Sequence, residues 1–499
     1  MSAIPERLYT AAAVRRLDEL AIEAGGGDGY ALMCRAGQAV VNVARQHFPD
    51  ARRWLVVCGA GNNGGDGYVI ARLASALGID VAVVALRQPE QLSGDAGRAA
   101  ADWRACGGET VPWSGELPAA DLVIDALLGT GLARVVEGQW ATAIKAINNH
   151  RAATVSVDVP SGLGADTGHI HGVSVSADVT VTLVGMKRGL LTADGPDCAG
   201  KVVFDTLKVP DTIYDALDGD RAVGRRMDRA DIGRLLPRRR LNSHKGLFGH
   251  VVVVGGNRGM SGAARLAGEA ALRAGAGRVT VATHPVHAHW LNLARPELMT
   301  LAVEGGDDVP PQPSDSDVIA LGPGLGKDGW ARSLVPECLG RTTALVVDAD
   351  GLNLLAALRD SMAWPRKGEW VITPHPAEAA RLLGQSTAVV QADRFAAAAT
   401  LAEQYGAVVV LKGCGTVVAA PDGRWSLCAL GNPGMATAGA GDVLTGVVAA
   451  MLAQGLPAYD AACAAVVAHA AAGDVAARNG QVGRLALDFC DALPGVLDV

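Results

Sequence analysis

Short runs of β-branched residues, separated by helix-length stretches, recur from residue 54 to residue 411, and no other feature restricts the fold as tightly. In the first half they fall at Trp54–Cys58, Val81–Leu86, Asp121–Asp125, Ala153–Asp158 and Asp178–Leu183. In the second half they fall at Val251–Gly255, Arg278–Ala282, Val318–Leu321, Ala344–Asp348, Trp370–Ile372 and Val408–Leu411. Strands that alternate with helices are joined by crossovers, which makes neighbouring strands parallel and puts helices on the sheet faces. An α/β architecture with doubly wound sheets follows. A chain of 499 residues exceeds what one hydrophobic core sustains, so two domains are expected. Between Pro210 and His244 the apolar periodicity fades and charge rises, which predicts domains at 1–215 and 242–499 with a linker at 216–241. Residues 9–49 read as two amphipathic helices. Two Ala-rich helices, at Asp442–Leu456 and Ala458–Arg478, are expected to pack on the second sheet, with Asp460, His469 and Asp474 arguing against membrane spans.

Composition narrows the function classes. The net charge is −7 with scattered basic residues, leaving no stripe that could follow a nucleic-acid backbone. The short run Arg238–Arg240 reads as solvated linker. Nine cysteines without a CxxC pair do not describe a disulfide framework, and Cys58 inside an apolar strand reads as core. A reducing, cytoplasmic setting is expected, as is a soluble protein, because charges interrupt each apolar stretch near the N-terminus.

The segment GAGNNGGDG at 59–67 follows a strand and opens a helix, so its small residues allow a tight turn with backbone N–H groups near a phosphate or ribose. It matches a dinucleotide fingerprint literally, yet the next strand ends Ala85-Leu86-Arg87 without the acid that would hold a ribose, which disfavours an ordinary dehydrogenase. Asn62, Asn63 and Asp66 supply more polar side chains than phosphate cradling needs, although they could merely cap the helix. Two further strands end in acids, Asp125 and Asp158, on the edge where open parallel sheets bind ligands. Asn63, Asp125 and Ser161 offer hard oxygens without Cys or His, suited only to a weakly held alkali or alkaline-earth ion. Lys187 follows another strand and could bind phosphate, tune an Asp, or simply lie on the surface.

With LMCRAG at 32–37, DALLGTGL at 125–132, VDVPSGL at 157–163 and MKRGL at 186–190, residues 1–215 resemble the NAD(P)H-hydrate epimerases. The resemblance implies a Rossmann-like three-layer domain and a potassium site at Asn63, Asp125 and Ser161. It also implies substrate contacts from Asn62, Asn63, Gly64, Gly65, Asp66, Gly129, Thr130, Gly131, Leu132, Ala133, Arg134, Val135 and Asp158, with Asp158 and Lys187 as catalytic candidates.

In the second half, GAGD at 439–442 precedes an apolar helix, so backbone N–H groups can hold a phosphate while Asp442 addresses a hydroxyl; a plain helix cap is the alternative. NSHKG at 242–246, LGPGLG at 321–326, DADGLN at 348–353, TPHPAE at 373–378 and LKGCGT at 411–416 mostly follow strands, and one cleft could collect them. His284, His287 and His289 lack the spacing of a helical zinc site. Residues 242–499 resemble the ADP- or ATP-dependent NAD(P)H-hydrate dehydratases, a branch of the ribokinase-like fold. By that resemblance Lys412, Gly413, Cys414, Gly415, Thr416, Asn432, Gly439, Ala440 and Gly441 bind ADP or ATP, with magnesium on the phosphates. The resemblance also implies that Gly324, Gly326, His375 and Asp442 contact the hydrated nucleotide, and Asp442 is the expected catalytic base.

Together the halves imply repair of NADHX and NADPHX, the forms hydrated at ring C6: epimerisation by the first domain, nucleotide-driven dehydration of the S form by the second. No nucleic acid or membrane partner is expected, and a homo-oligomer is. Two rivals stand beside this reading. A ribokinase-like small-molecule kinase fused to a nucleotide-binding module shares the GAGD element. A non-enzymatic sensing domain could keep the first fold, though the set Asn62, Asn63, Asp66, Asp125 and Asp158 weighs against it.

Overall fold

A computed structural model describes residues 4–309, 317–358 and 369–498. The chain divides into two compact units at Arg225/Arg226.

The first unit is built on a seven-stranded sheet, parallel throughout. Its spatial order is Thr110–Pro112, Asp80–Ala85, Arg53–Cys58, Leu122–Ala126, Ala153–Val157, Val179–Leu183, Lys201–Asp205. The inner strands are apolar on both faces because helices cover both. Trp54, Val56 and Cys58 join one cluster, beneath the helices Ala11–Ala24 and Gly29–His47, while Leu55 and Val57 join another with Ile144 and Ile147 of the helix Gly138–Asn149. The winding reverses between Arg53–Cys58 and Leu122–Ala126, which lie side by side, so the loops leaving their carboxyl ends splay apart and open a crevice.

The second unit contains a run of six hydrogen-bonded parallel pairs. In spatial order it passes through Val408–Leu411, Trp370–Ile372, Ala344–Val347, Asp317–Leu321, His250–Val254, Arg278–Thr283 and Met299–Ala302. An antiparallel pair, Thr416–Ala419 and Trp425–Cys428, extends it past Val408–Leu411. Helix Ala440–Ala453 is buried almost all round, lying against the sheet and the helix Ser261–Arg273. Helix Ala458–Ala476 has the length and composition of a membrane span, yet most of it is buried within this unit. The segment 216–241 carries more structure than its weak periodicity suggests. It contains a strand, Val223–Met227, and a helix, Ala230–Leu235, and Met227 and Ile232 are fully buried in the second unit's apolar cluster. A helix of six residues has too few turns to display a repeat, which is why the sequence reads as linker there.

Candidate functional sites

Both sites lie where parallel strands end. In the first unit, Gly59 leaves its strand so close to Leu127 that a Cβ would come 1.8 Å from the Leu127 carbonyl oxygen, and only glycine permits this turn. Helix Asn62–Ala76 then starts at once. Around it lies a cavity of about 970 Å³ lined by Asn62, Asn63, Asp66, Gly129 through Val135, Asp158 and Lys187. Gly64 and Gly65 do not line it. They pack in the first helical turn against the Gly59 backbone and the Met33 side chain, so they contribute close packing and not a surface for ligand. The loop Gly129–Val135 forms a largely exposed rim, with Val135 58% exposed.

Asp158 sits beyond the strand Ala153–Val157 at φ 68°, a left-handed conformation that costs energy in a non-glycine residue and is held here by its N–H donating to the Val181 carbonyl, 2.8 Å. Its Oδ1 accepts from the Leu183 N–H at 3.1 Å and from Lys187 Nζ, which also donates to the Leu183 carbonyl at 2.7 Å. Lys187 is 1% exposed, so it is a buried counter-ion of Asp158 and not a surface lysine. Burial pushes the Asp66 carboxyl well above the usual range, and the neighbouring Asp158 and Asp18 add to the rise.

Asp125 and Ser161 lie behind the cavity wall, fully buried. Ser161 donates to Asp125 through Oγ (2.5 Å) and backbone N–H (2.9 Å), and Ser156 Oγ donates at 2.8 Å. No basic side chain pairs with Asp125 among the described residues, and burial raises its carboxyl. Both polar atoms of the buried Asn63 side chain lack a partner. Asp125 thus has protein donors but no counter-ion among the described residues, and this all-oxygen set with the unused Asn63 amide has the chemistry to hold a monovalent cation.

In the second unit the hub is Asp348, at the end of strand Ala344–Val347 and 1% exposed. Lys412 Nζ donates to its Oδ1 at 2.7 Å, and Thr445 Oγ1, one turn into helix Ala440–Ala453, donates to its Oδ2 at 2.7 Å. The helix start, with Gly439, Ala440 and Gly441, is thereby drawn against the lysine: a Cβ on Gly441 would lie 3.3 Å from Nζ. Burial alone would lower Lys412, but Asp348 and Glu378 leave it above its ordinary value. Burial lifts the Asp442 carboxyl to about 7, with Asp348 adding to the rise and Lys412 opposing it. Replacing Asp348 by Ala removes the partner of a mostly buried ammonium. The expected loss is ~3–5 kcal/mol, read as a fall in the second unit's thermal transition.

Gly324, at φ 59°, brings LGPGLG so near helix Ser261–Arg273 that a Cβ would be 2.4 Å from the Met260 carbonyl. Gly326 N–H donates to Asp350 at 3.0 Å, which ties this loop to the surroundings of Asp442. His375 caps helix Pro376–Leu383: its Nδ1 accepts from the Ala377 and Glu378 N–H groups, and its Nε2 lies 3.3 Å from Glu378. Burial lowers its imidazole and Lys412 adds to this, so the ring is neutral near pH 7 with Nε2 left as the donor. The loop Lys412–Thr416 rests on Arg394, which donates to the carbonyls of Leu411, Lys412 and Gly415 at 3.1–3.4 Å and which burial lowers to about 10. Cys414 is exposed on that loop, and Thr416 donates to the Gly413 carbonyl. Asn432 is engaged at both ends, accepting from Gly434 and donating to Asp474, so its side chain shapes its loop.

One expected member lies elsewhere. Asn242–Gly246 enters the strand His250–Val254, and its exposed turn lies at the amino end of the sheet, opposite the carboxyl ends that carry the other motifs. The histidines make no ligand set either: the rings of His284 and His287 lie 6.4 Å apart, but His284 accepts from Arg258 and His287 faces the Asn257 carbonyl. Among the described residues, no group of three His, Cys, Asp or Glu could hold a metal. Sequence reasoning left Asp348 and Glu378 without roles, though both stand in quoted motifs, and missed Thr445, Arg394 and Asp18. Asp18 had a signal: an acid at the centre of the stripe Val14, Asp18, Ile22 on an otherwise apolar helix face.

These two sites fall within two separately recognised regions. A family model described as NAD(P)H-hydrate dehydratase matches residues 251–495, and one described as YjeF-related protein N-terminus matches residues 29–189. The chain is similar to the bifunctional NAD(P)H-hydrate repair enzyme of Escherichia coli strain K12, 43% identical over 500 residues covering 99% of this chain and 95% of the relative. It is 42% identical over 484 residues to the enzyme of that name from Coxiella burnetii, covering 97% of each. Among solved structures, the ADP/ATP-dependent NAD(P)H-hydrate dehydratase from Bacillus subtilis, co-crystallised with ATP and Mg2+, is 31% identical. It covers 54% of this chain and 95% of that one, with a TM-score of 0.49. Identity of this extent along the whole chain, with each half carrying its own acid-bearing site, decides the assignment: the chain belongs to the family of bifunctional NAD(P)H-hydrate repair enzymes.

Proposed function

We propose that the two units act in sequence on one damaged cofactor, with Asp158 serving the first step and Asp442 the second. Hydration of NADH or NADPH places a hydroxyl on ring C6 in both configurations, whereas a chiral pocket accepts one. The first unit interconverts the epimers, and the second dehydrates the S form at the expense of ADP or ATP.

The observation that carries this reading is the second site. Asp442 stands in the first turn of a helix whose start has no side-chain cap, beside the Lys412–Asp348 pair. Asp442 takes the proton of the C6 hydroxyl as that oxygen accepts the terminal phosphoryl group of the nucleotide. Phosphate then leaves with the C6–O electron pair, a proton is lost from C5, and the C5=C6 double bond is restored. Lys412 stabilises the charge on the phosphates. Magnesium would supply further charge neutralisation between phosphates, reaching the protein through one or two carboxylates.

In the first unit, Asp158 handles protons at C6 with Lys187 holding it in place. Potassium would sit at Asn63, Asp125 and Ser161, where the charge and the free amide oxygen favour it. A cytosolic setting fits the free cysteines, six of which are buried.

Mixed epimers incubated with ADP or ATP test the whole: absorbance of the reduced nicotinamide should recover fully. Nucleotide consumption with a stable phosphorylated product and no recovered absorbance would instead identify a kinase. Exchanging potassium for the smaller lithium ion should slow epimerisation and lower the first unit's thermal transition, while dehydration of resolved S epimer is unchanged. An epimerase indifferent to the exchange, in both rate and melting, contradicts the cation site.

A further inference from the structure

The cavity of the first unit holds an acid that this mechanism does not use. Helix Ala11–Ala24 turns Val14, Asp18 and Ile22 to the cavity at successive intervals of four residues, with Arg15 beside them, so Asp18 lies between two apolar side chains on the wall that faces the substrate space. Such a position has no packing use for a carboxylate, and desolvating one is costly.

Asp18 and Asp158 share the cavity but are held very differently. Asp158 is fastened by Lys187 and the Leu183 N–H. Among the described residues nothing donates a hydrogen bond to Asp18, and the charged or titratable groups it meets are Lys187, Asp158, Glu19, Asp66 and Tyr214.

We propose that Asp18 is the second acid–base residue of the epimerase, giving up the proton with which the C6 hydroxyl departs and recovering it when water adds back. This rests on the epimerase reading of the first unit. The C6–O bond breaks with its electron pair on oxygen, the proton of Asp18 completes a water molecule, and the ring nitrogen lone pair forms the C6=N1 iminium. Water then adds to either face, its surplus proton returns to the carboxylate, and no other reactant is consumed. Asp158, held in place by Lys187, orients that water and relays its proton. Burial supports the division of roles, because it lifts Asp18 to about 7, with Lys187 opposing and Asp158 adding to the rise, so that its acid form is populated near neutrality.

The test follows conversion of resolved R epimer to S by chromatography, for wild type, Asp18→Asn and Asp18→Glu, at pH values on both sides of 7. Wild-type kcat should fall as pH rises through the Asp18 pKa. Asp18→Asn should lose about 10²-fold in kcat with KM nearly unchanged, and should lose that alkaline limb. Asp18→Glu, which keeps the proton on a longer arm, should recover part of the rate and restore the limb. Full kcat in Asp18→Asn, or a reduced kcat that keeps the wild-type limb, overturns the proposal. If the Asn variant does not fold, Asp18→Ser takes its place, and full kcat or an unchanged alkaline limb in that variant overturns the proposal equally. Wild-type protein that leaves the epimers unconverted would remove the epimerase reading itself, a result distinct from normal wild-type turnover beside an indifferent Asp18→Asn.

Discussion

Asp442→Asn is expected to lower dehydration of the S epimer by ~10²–10⁴-fold while nucleotide binding survives. Asparagine preserves the size of the side chain and its place in the first turn of helix Ala440–Ala453, so the N–H groups and the Lys412–Asp348 pair keep their positions. What is lost is a carboxylate that can take the C6 hydroxyl proton. The pH profile carries the same information. Burial holds Asp442 at about 7, with Asp348 raising it and Lys412 lowering it. A base must be ionised, so wild-type kcat/KM should rise as pH climbs through that value, and the variant should show no such rise. Stopped assays of restored NADH, with ADP binding measured separately, decide the matter; near-normal turnover would take Asp442 out of the chemistry.

Asp158→Asn should separate the two activities. Resolved S epimer should still be restored at the wild-type rate, since the dehydratase residues belong to the other unit. From an epimeric mixture the variant should consume the S fraction quickly and then slow to the rate of spontaneous epimerisation. The substitution also deprives Lys187, 1% exposed, of its counter-ion, so the first unit's thermal transition should fall and folding must be confirmed by it. The reciprocal Asp442→Asn protein should interconvert epimers and restore almost nothing. Mixed together, the two variants should recover complete conversion by exchanging the free intermediate. Consumption of both epimers at the wild-type rate by Asp158→Asn would refute its role.

Most of this plan was legible in the sequence, and the reason is local. Eleven strands read from β-branched runs are present, and the glycine-rich turns at 59–67 and 439–442 open helices as their spacing requires. The strands that escaped notice are short or polar ones at or near sheet edges, such as Thr110–Pro112, Lys201–Asp205 and Met299–Ala302, where one exposed side removes the apolar pattern. The linker reading failed at Met227 and Ile232 because two buried residues in a short helix make no period.

The sequence by itself determined that two α/β units would form, that acids would stand at strand ends and that glycine-rich turns would open helices there, because strand and helix periodicity and turn chemistry act over a few neighbouring residues. Only the tertiary structure decided which of those acids meet a lysine and which stand alone. Lys187 neutralises Asp158, Lys412 is anchored by Asp348 and Thr445, Asn432 is spent on Asp474, and Asp18 is left unfastened on the cavity wall. The charge state of a carboxylate depends on desolvation and on charges a few ångströms away, and for these acids several of those charges come from residues far along the chain, brought near only when the sheets close.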